Sequence, residues 1–112
     1  KMIQSVEEKQ QESEKDYIIA DSDRRYLTEG EVRNLTLKEI NYAKNEIYAR
    51  HGRKFKSAEL QNYFNSKSWY HGTIEPDDFQ NSYLNDYEQK NTELLSKVEH
   101  SISSDGYQLD AD

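Results

Sequence analysis

The sequence predicts an all-α fold: a small single domain of about four helices with an aromatic-rich core. Two capping boxes, Thr28-x-x-Glu31 and Thr36-x-x-Glu39, mark helix starts. Apolar residues recur every three or four positions after Thr36, Ser57 and Ser82, whereas strand alternation is weak everywhere. Nine tyrosines, three phenylalanines and one tryptophan offset a hydrophobic fraction of only 33%. Disordered chains are usually poor in aromatics, and tyrosine can bury its ring while its hydroxyl reaches a polar partner. At 112 residues, one domain is the expectation.

Residues 1–16 contain no aromatic and read as a linker or a helical extension rich in Gln, Glu and Lys. The domain proper spans 17–103. It begins with the short apolar run Tyr17-Ile18-Ile19-Ala20, an extended segment ending in a turn at Asp21-Ser22-Asp23. Those two aspartates lack the glycine and terminal glutamate of a calcium loop, so calcium is excluded there. Thr28 caps a short helix to about Asn34, with Val32 and Leu35 turned inward. Thr36 caps the next, whose residues Leu37, Ile40, Ala43, Ile47 and His51 fall on one face. Gly52 follows as its C′ residue in left-handed geometry, with Arg53, Lys54 and Lys56 near the negative end of the dipole.

Ser57 caps Ala58–Asn65, with Leu60 and Phe64 four apart. The loop Ser66–Gly72 holds Trp69 and Tyr70, and a loop tryptophan either enters the core or touches something else. Glu75-Pro76-Asp77-Asp78 opens a helix or turn beside Phe79. A last helix is expected from near Ser82 to Ile102, with Leu84, Tyr87, Asn91, Leu94, Leu95, Val98 and Ile102 as its stripe. Asp105-Gly106 ends it, and 104–112 read as a tail.

The absence of cysteine excludes disulfides and thiolate metal sites. No apolar run reaches 18 residues, and no signal peptide is visible. A chain starting Lys1-Met2 reads as an excised fragment, which leaves room for an export signal or an anchor upstream. Net charge is −7 and uneven: residues 36–71 hold seven Lys/Arg against three acids, residues 72–112 two against ten. A basic middle suggests a local anion-facing surface, or segments that pair across the fold. Nucleic acid is not an expected partner.

Several dispersed segments resemble the YARHG domain, a bacterial module named after its motif. The motif stands as Tyr48-Ala49-Arg50-His51-Gly52, with Asp23-Arg24-Arg25-Tyr26-Leu27-Thr28 before it and Lys67-Ser68-Trp69-Tyr70 after it. Pro76-Asp77-Asp78-Phe79 and Leu84-Asn85 continue the likeness, which covers roughly residues 17–100. The resemblance implies an exported domain of the cell envelope, secreted or at the cell surface as in a lipoprotein. It also implies an all-helical fold and peptidoglycan binding as the leading role.

Candidate ligand-binding residues are Tyr48, Arg50, His51, Trp69 and Tyr70. Aromatic faces stack on the C–H faces of sugars, and an arginine fork grips a carboxylate; peptidoglycan offers both. Each candidate has a structural alternative. His51 can be a buried neutral imidazole bonded to a carbonyl or a tyrosine hydroxyl. Arg50 can pin helix-end carbonyls or a carboxylate such as Asp77 or Asp78. Trp69 and Tyr48 can be core. No catalytic residue is expected: Gly-x-Ser-x-Gly, His-Glu-x-x-His and a cysteine nucleophile are all missing. His51 beside Glu46, or the carboxylates Glu75, Asp77 and Asp78, are the acid–base options. His51, His71 and His100 lack zinc-site spacing, so neither a metal nor a cofactor is expected. The alternative partner to peptidoglycan is an envelope protein, met through the acidic last helix and the aromatic loop.

Overall fold

Three helices begin in the same way. Thr28, Thr36 and Asn85 each accept from a backbone N–H three residues on, where Glu31, Glu39 and Glu88 return a carboxylate to the cap's own N–H. In the computed structural model, which describes residues 16–111, these caps open α1 (Glu29–Arg33), α2 (Leu37–Arg50) and α4 (Asp86–Ile102). Ser57 caps α3 (Ala58–Asn65) through the Leu60 N–H at 3.2 Å. Four α-helices and no β-strand make up the described residues, with one isolated bridge between Arg53 and Ile74. The all-α expectation therefore holds. The reading of residues 1–15 as linker or helix lies outside the described residues.

α2 is the hub. Ile40, Ala43 and Ile47 pack with Leu27, Val32, Leu84, Leu95 and Val98 in one cluster. Tyr42 and Ala49 turn into a second, aromatic cluster with Phe55, Leu60, Phe64 and Tyr70. The sequence stripe marked the first cluster alone. A helix clamped between two neighbours buries polar positions as well, and Asn41, Asn45 and Glu46 are all under 9% exposed.

Two segments differ from expectation. α4 starts at Asp86, because Asn85 takes the cap, and Ser82 falls in a separate 3₁₀ turn, Asn81–Tyr83. Tyr87 and Ile102 consequently sit on the surface at 38% and 49% exposure, while Glu88, Asn91, Thr92 and Glu99 are buried. The C-terminal tail is docked: the Tyr107 hydroxyl and the Asp110 N–H both donate to Glu59, and the Tyr107 N–H donates to Glu99 at 2.9 Å. Leu109 and Tyr107 also pack on the aromatic cluster, which apolar periodicity could not register in so short a stretch. Pro76–Asp78 is a 3₁₀ turn, the second of the two options for that segment.

Candidate functional site

The final turn of α2 sends its side chains in three directions. Arg50 points at the lead-in segment: its Nη2 donates to the carbonyls of Ile19 (3.2 Å) and Ala20 (2.7 Å), and Nη1 lies 3.5 Å from Asp23. One turn earlier, the fully buried Glu46 accepts from the Ile18 N–H at 2.8 Å and the Ile19 N–H at 3.2 Å. Burial pushes its carboxyl up to about 7, against the pull of both N–H donors and the nearby Arg50 charge. Tyr17 then lies between two expected site residues, 4.1 Å below the Arg50 guanidinium and stacked on Trp69 at 4.9 Å. Trp69 Nε1 donates to the Asp16 carbonyl at 3.1 Å.

Arg50 and Trp69 thus share a junction, and the protein's own Tyr17 fills it. The pinning alternative describes Arg50, with Asp23 and two carbonyls in place of Asp77 or Asp78; Asp77 is taken by Lys56. A cleft of about 900 Å³ opens beside this junction, but its arginines are neutralised. Arg24 meets Asp23, Arg25 meets Asp21 and Glu31, and Arg50 meets Asp23.

His51 takes the second direction. Its Nε2 lies 2.8 Å from Glu88 Oε2, a carboxylate whose other oxygen caps α4 at the Asn85 N–H. The partner is therefore a carboxylate instead of a carbonyl or a tyrosine hydroxyl. Both ends of this pair fasten one helix end to another.

The third direction opens outward. Gly52 (φ +87°) donates to the Ala49 carbonyl and the Arg53 N–H to the Tyr48 carbonyl, the two bonds of a Schellman motif. A Cβ at Gly52 would also press on the His71 carbonyl oxygen and Thr73 Oγ1, both at 3.1 Å. In this motif the second residue past the cap faces the third-from-last helical residue. Here that places the Arg53 guanidinium 5.2 Å from the Tyr48 ring. Phe79 meets the same ring edge-on at 5.6 Å.

Tyr48, Phe79 and Arg53 form one end of an open groove of about 910 Å³ between α2 and α4. Asn45, Asn81, Gln89, Thr92 and Ser96 line it with amides and hydroxyls, and Lys44 and Lys97 add cationic groups, with the His100 imidazole, beside Glu93. Lys44 is held by the nearly sealed Glu99 at 2.9 Å. Burial would raise the Glu99 carboxyl, but bonds from Lys44, Asn41 and the Tyr107 N–H outweigh it and hold it below the usual carboxylate range.

Of the five candidates, Tyr48 alone lines this groove. Tyr70 is buried and gives its hydroxyl proton to the Arg53 carbonyl at 2.7 Å, which supports the groove from behind. Phe79 and Arg53 were not singled out as site residues. Arg53 was legible in principle, because reading Gly52 as C′ fixes Arg53 against Tyr48. Phe79 was not, because it arrives from a turn distant in sequence. Among the described residues, no group of three His, Asp or Glu side chains could hold a metal ion. Polar donors, two rings and cations around an open groove suit docking of a glycan or glycopeptide.

The family model described as YARHG domain matches residues 15–100. No curated protein and no solved structure matches the chain.

Proposed function

The chain belongs to the YARHG domain family, and from that premise we propose that it is a non-catalytic binding module of the bacterial cell envelope that recognises peptidoglycan. The family is associated with extracytoplasmic domains. No helix among the described residues is long and apolar enough to cross a membrane. On this reading the domain works outside the cytoplasm.

The groove between α2 and α4 carries the proposal. Two aromatic rings at one end suit the C–H face of a sugar, and the amides and hydroxyls along α2 and α4 suit N-acetyl and ring hydroxyl groups. Binding there is docking, with no bond broken. Most of the acid–base alternatives are engaged within the fold: Glu46 with two backbone N–H groups, His51 with Glu88, Glu75 with Lys54 and Asp77 with Lys56, which leaves Asp78 as the one without a side-chain partner among the described residues.

Co-sedimentation with purified sacculi tests this reading. Wild type should pellet with sacculi, and Phe79→Ala should weaken that at least several-fold while its circular dichroism stays helical. Release of soluble fragments from the sacculi would argue for an enzyme. A second reading, docking of a partner protein, draws on the exposed tyrosines Tyr26 (58%), Tyr83 (44%) and Tyr87 (38%). Sacculus binding unaffected by Phe79→Ala but lost in Tyr26→Ser would move the site to that surface.

A further inference from the structure

On the reading that the groove binds peptidoglycan, we propose that Arg53 is its carboxylate receptor, so that the groove selects stem peptides with a free carboxylate over bare glycan or amidated peptides. The chain has five arginines. Four of them meet a carboxylate: Arg24, Arg25, Arg33 and Arg50 all lie within 3.5 Å of an aspartate or glutamate oxygen. Arg53 has no such partner among the described residues, and its guanidinium donates no hydrogen bond there, although the chain carries 22 acids. The neighbouring acids are engaged elsewhere: Glu75 with Lys54 at 2.9 Å, and Asp77 with Lys56 at 3.1 Å.

The cation is nonetheless held in place. Its Cζ lies 5.2 Å from the Tyr48 ring and 5.2 Å from the Phe55 ring. Rings attract a guanidinium without consuming its N–H donors. The backbone beneath is fixed as well: the Arg53 N–H donates to Tyr48, and the Tyr70 hydroxyl donates to the Arg53 carbonyl. A planar five-donor group, positioned before binding and with no internal acceptor, matches a carboxylate and loses little freedom on meeting one. Arg53 also lines an adjoining smaller cleft of about 280 Å³ that shares Asn45 and Pro76 with the groove, so a ligand in the groove reaches it at the shared edge.

The test uses the intact domain with three probes: native sacculi, sacculi whose carboxylates have been converted to amides, and glycan strands stripped of peptide whose exposed lactyl carboxylates have likewise been converted to amides. Wild type should bind native sacculi about tenfold or more tightly than either of the others. The chain's net charge of −7 would by itself favour the less anionic probes, so such a preference reports a local contact. Arg53→Gln should erase the preference, and Arg53→Lys should restore only part of it. Equal wild-type binding to all three probes would overturn the inference while leaving the peptidoglycan reading standing. An undiminished preference in a folded Arg53→Gln would overturn it too. Failure of wild type to bind any probe would remove the reading and the inference together.

Discussion

The two flanks of α2 near its C-terminus are built from the same stretch of chain and end in opposite states. On one flank Glu46, Arg50, Tyr17 and Trp69 close over each other. Glu46 accepts from two backbone N–H groups, Arg50 Nη2 donates to two carbonyls and Trp69 Nε1 to a third, while the buried Arg50 Nε has no partner among the described residues. On the other flank Tyr48 and Arg53 border an open groove, and the Arg53 donors face no protein acceptor among the described residues. Positions 48 and 50 are about 200° apart on a helix, so one motif serves both flanks. The difference teaches that the Tyr-Ala-Arg-His-Gly segment is not a single site. Its arginine and histidine fasten segments together, its glycine shapes the exit, and its tyrosine alone reaches the groove.

The sharpest way to break this contrast is Arg50→Ala. It removes two carbonyl bonds, the Tyr17 contact and the Asp23 pair, and leaves Glu46 without its nearest cation. A loss of about 3–5 kcal/mol is expected in urea unfolding. Any loss of sacculus binding should track unfolding; a folded Arg50→Ala that specifically fails to bind would turn the closed flank into a site.

Next in size is the pH response of Glu46. Its folded pKa of about 7 lies above the usual 4.5, so the folded state holds this proton more tightly than the unfolded chain. The contribution is full below pH 4.5 and is lost as pH rises through 7, about 3 kcal/mol in all. Glu46→Gln cannot titrate. Its stability relative to wild type should therefore improve between pH 5 and pH 8, and parallel melting curves for the two proteins would contradict the assignment.

Smallest in stability should be Lys97→Ala on the open flank, within about 0.5 kcal/mol of wild type, because an exposed lysine with no ion pair among the described residues stabilises little. Its effect should instead appear as weaker sacculus binding at low salt. A variant that unfolds but binds normally when folded would reverse the roles given to the two flanks.

The helices were legible because their signals are local. A cap and its glutamate lie three residues apart, and Leu60 and Phe64 lie one turn apart, so neighbours in sequence are neighbours in space. The start of α4 was misplaced because Leu84 is apolar and buried yet belongs to the turn before Asn85. Burial alone does not distinguish a helical residue from one packed just ahead of it. Periodicity put Asn91 on the inner stripe of α4 but could not show what it bonds. Asn91 donates to the Ser22 and Arg25 carbonyls and accepts from the Leu27 N–H, bonds that span more than 60 residues.

By itself the sequence determined four helices, the caps of three of them, the glycine exit from α2 and membership of a family whose motif lies at that exit. Only the tertiary structure decided which motif side chains are sealed. Tyr17 and Phe79 come from segments far apart in the sequence to fill one flank and border the other. A side chain's exposure depends on what arrives from elsewhere in the chain, and no local pattern encodes that arrival.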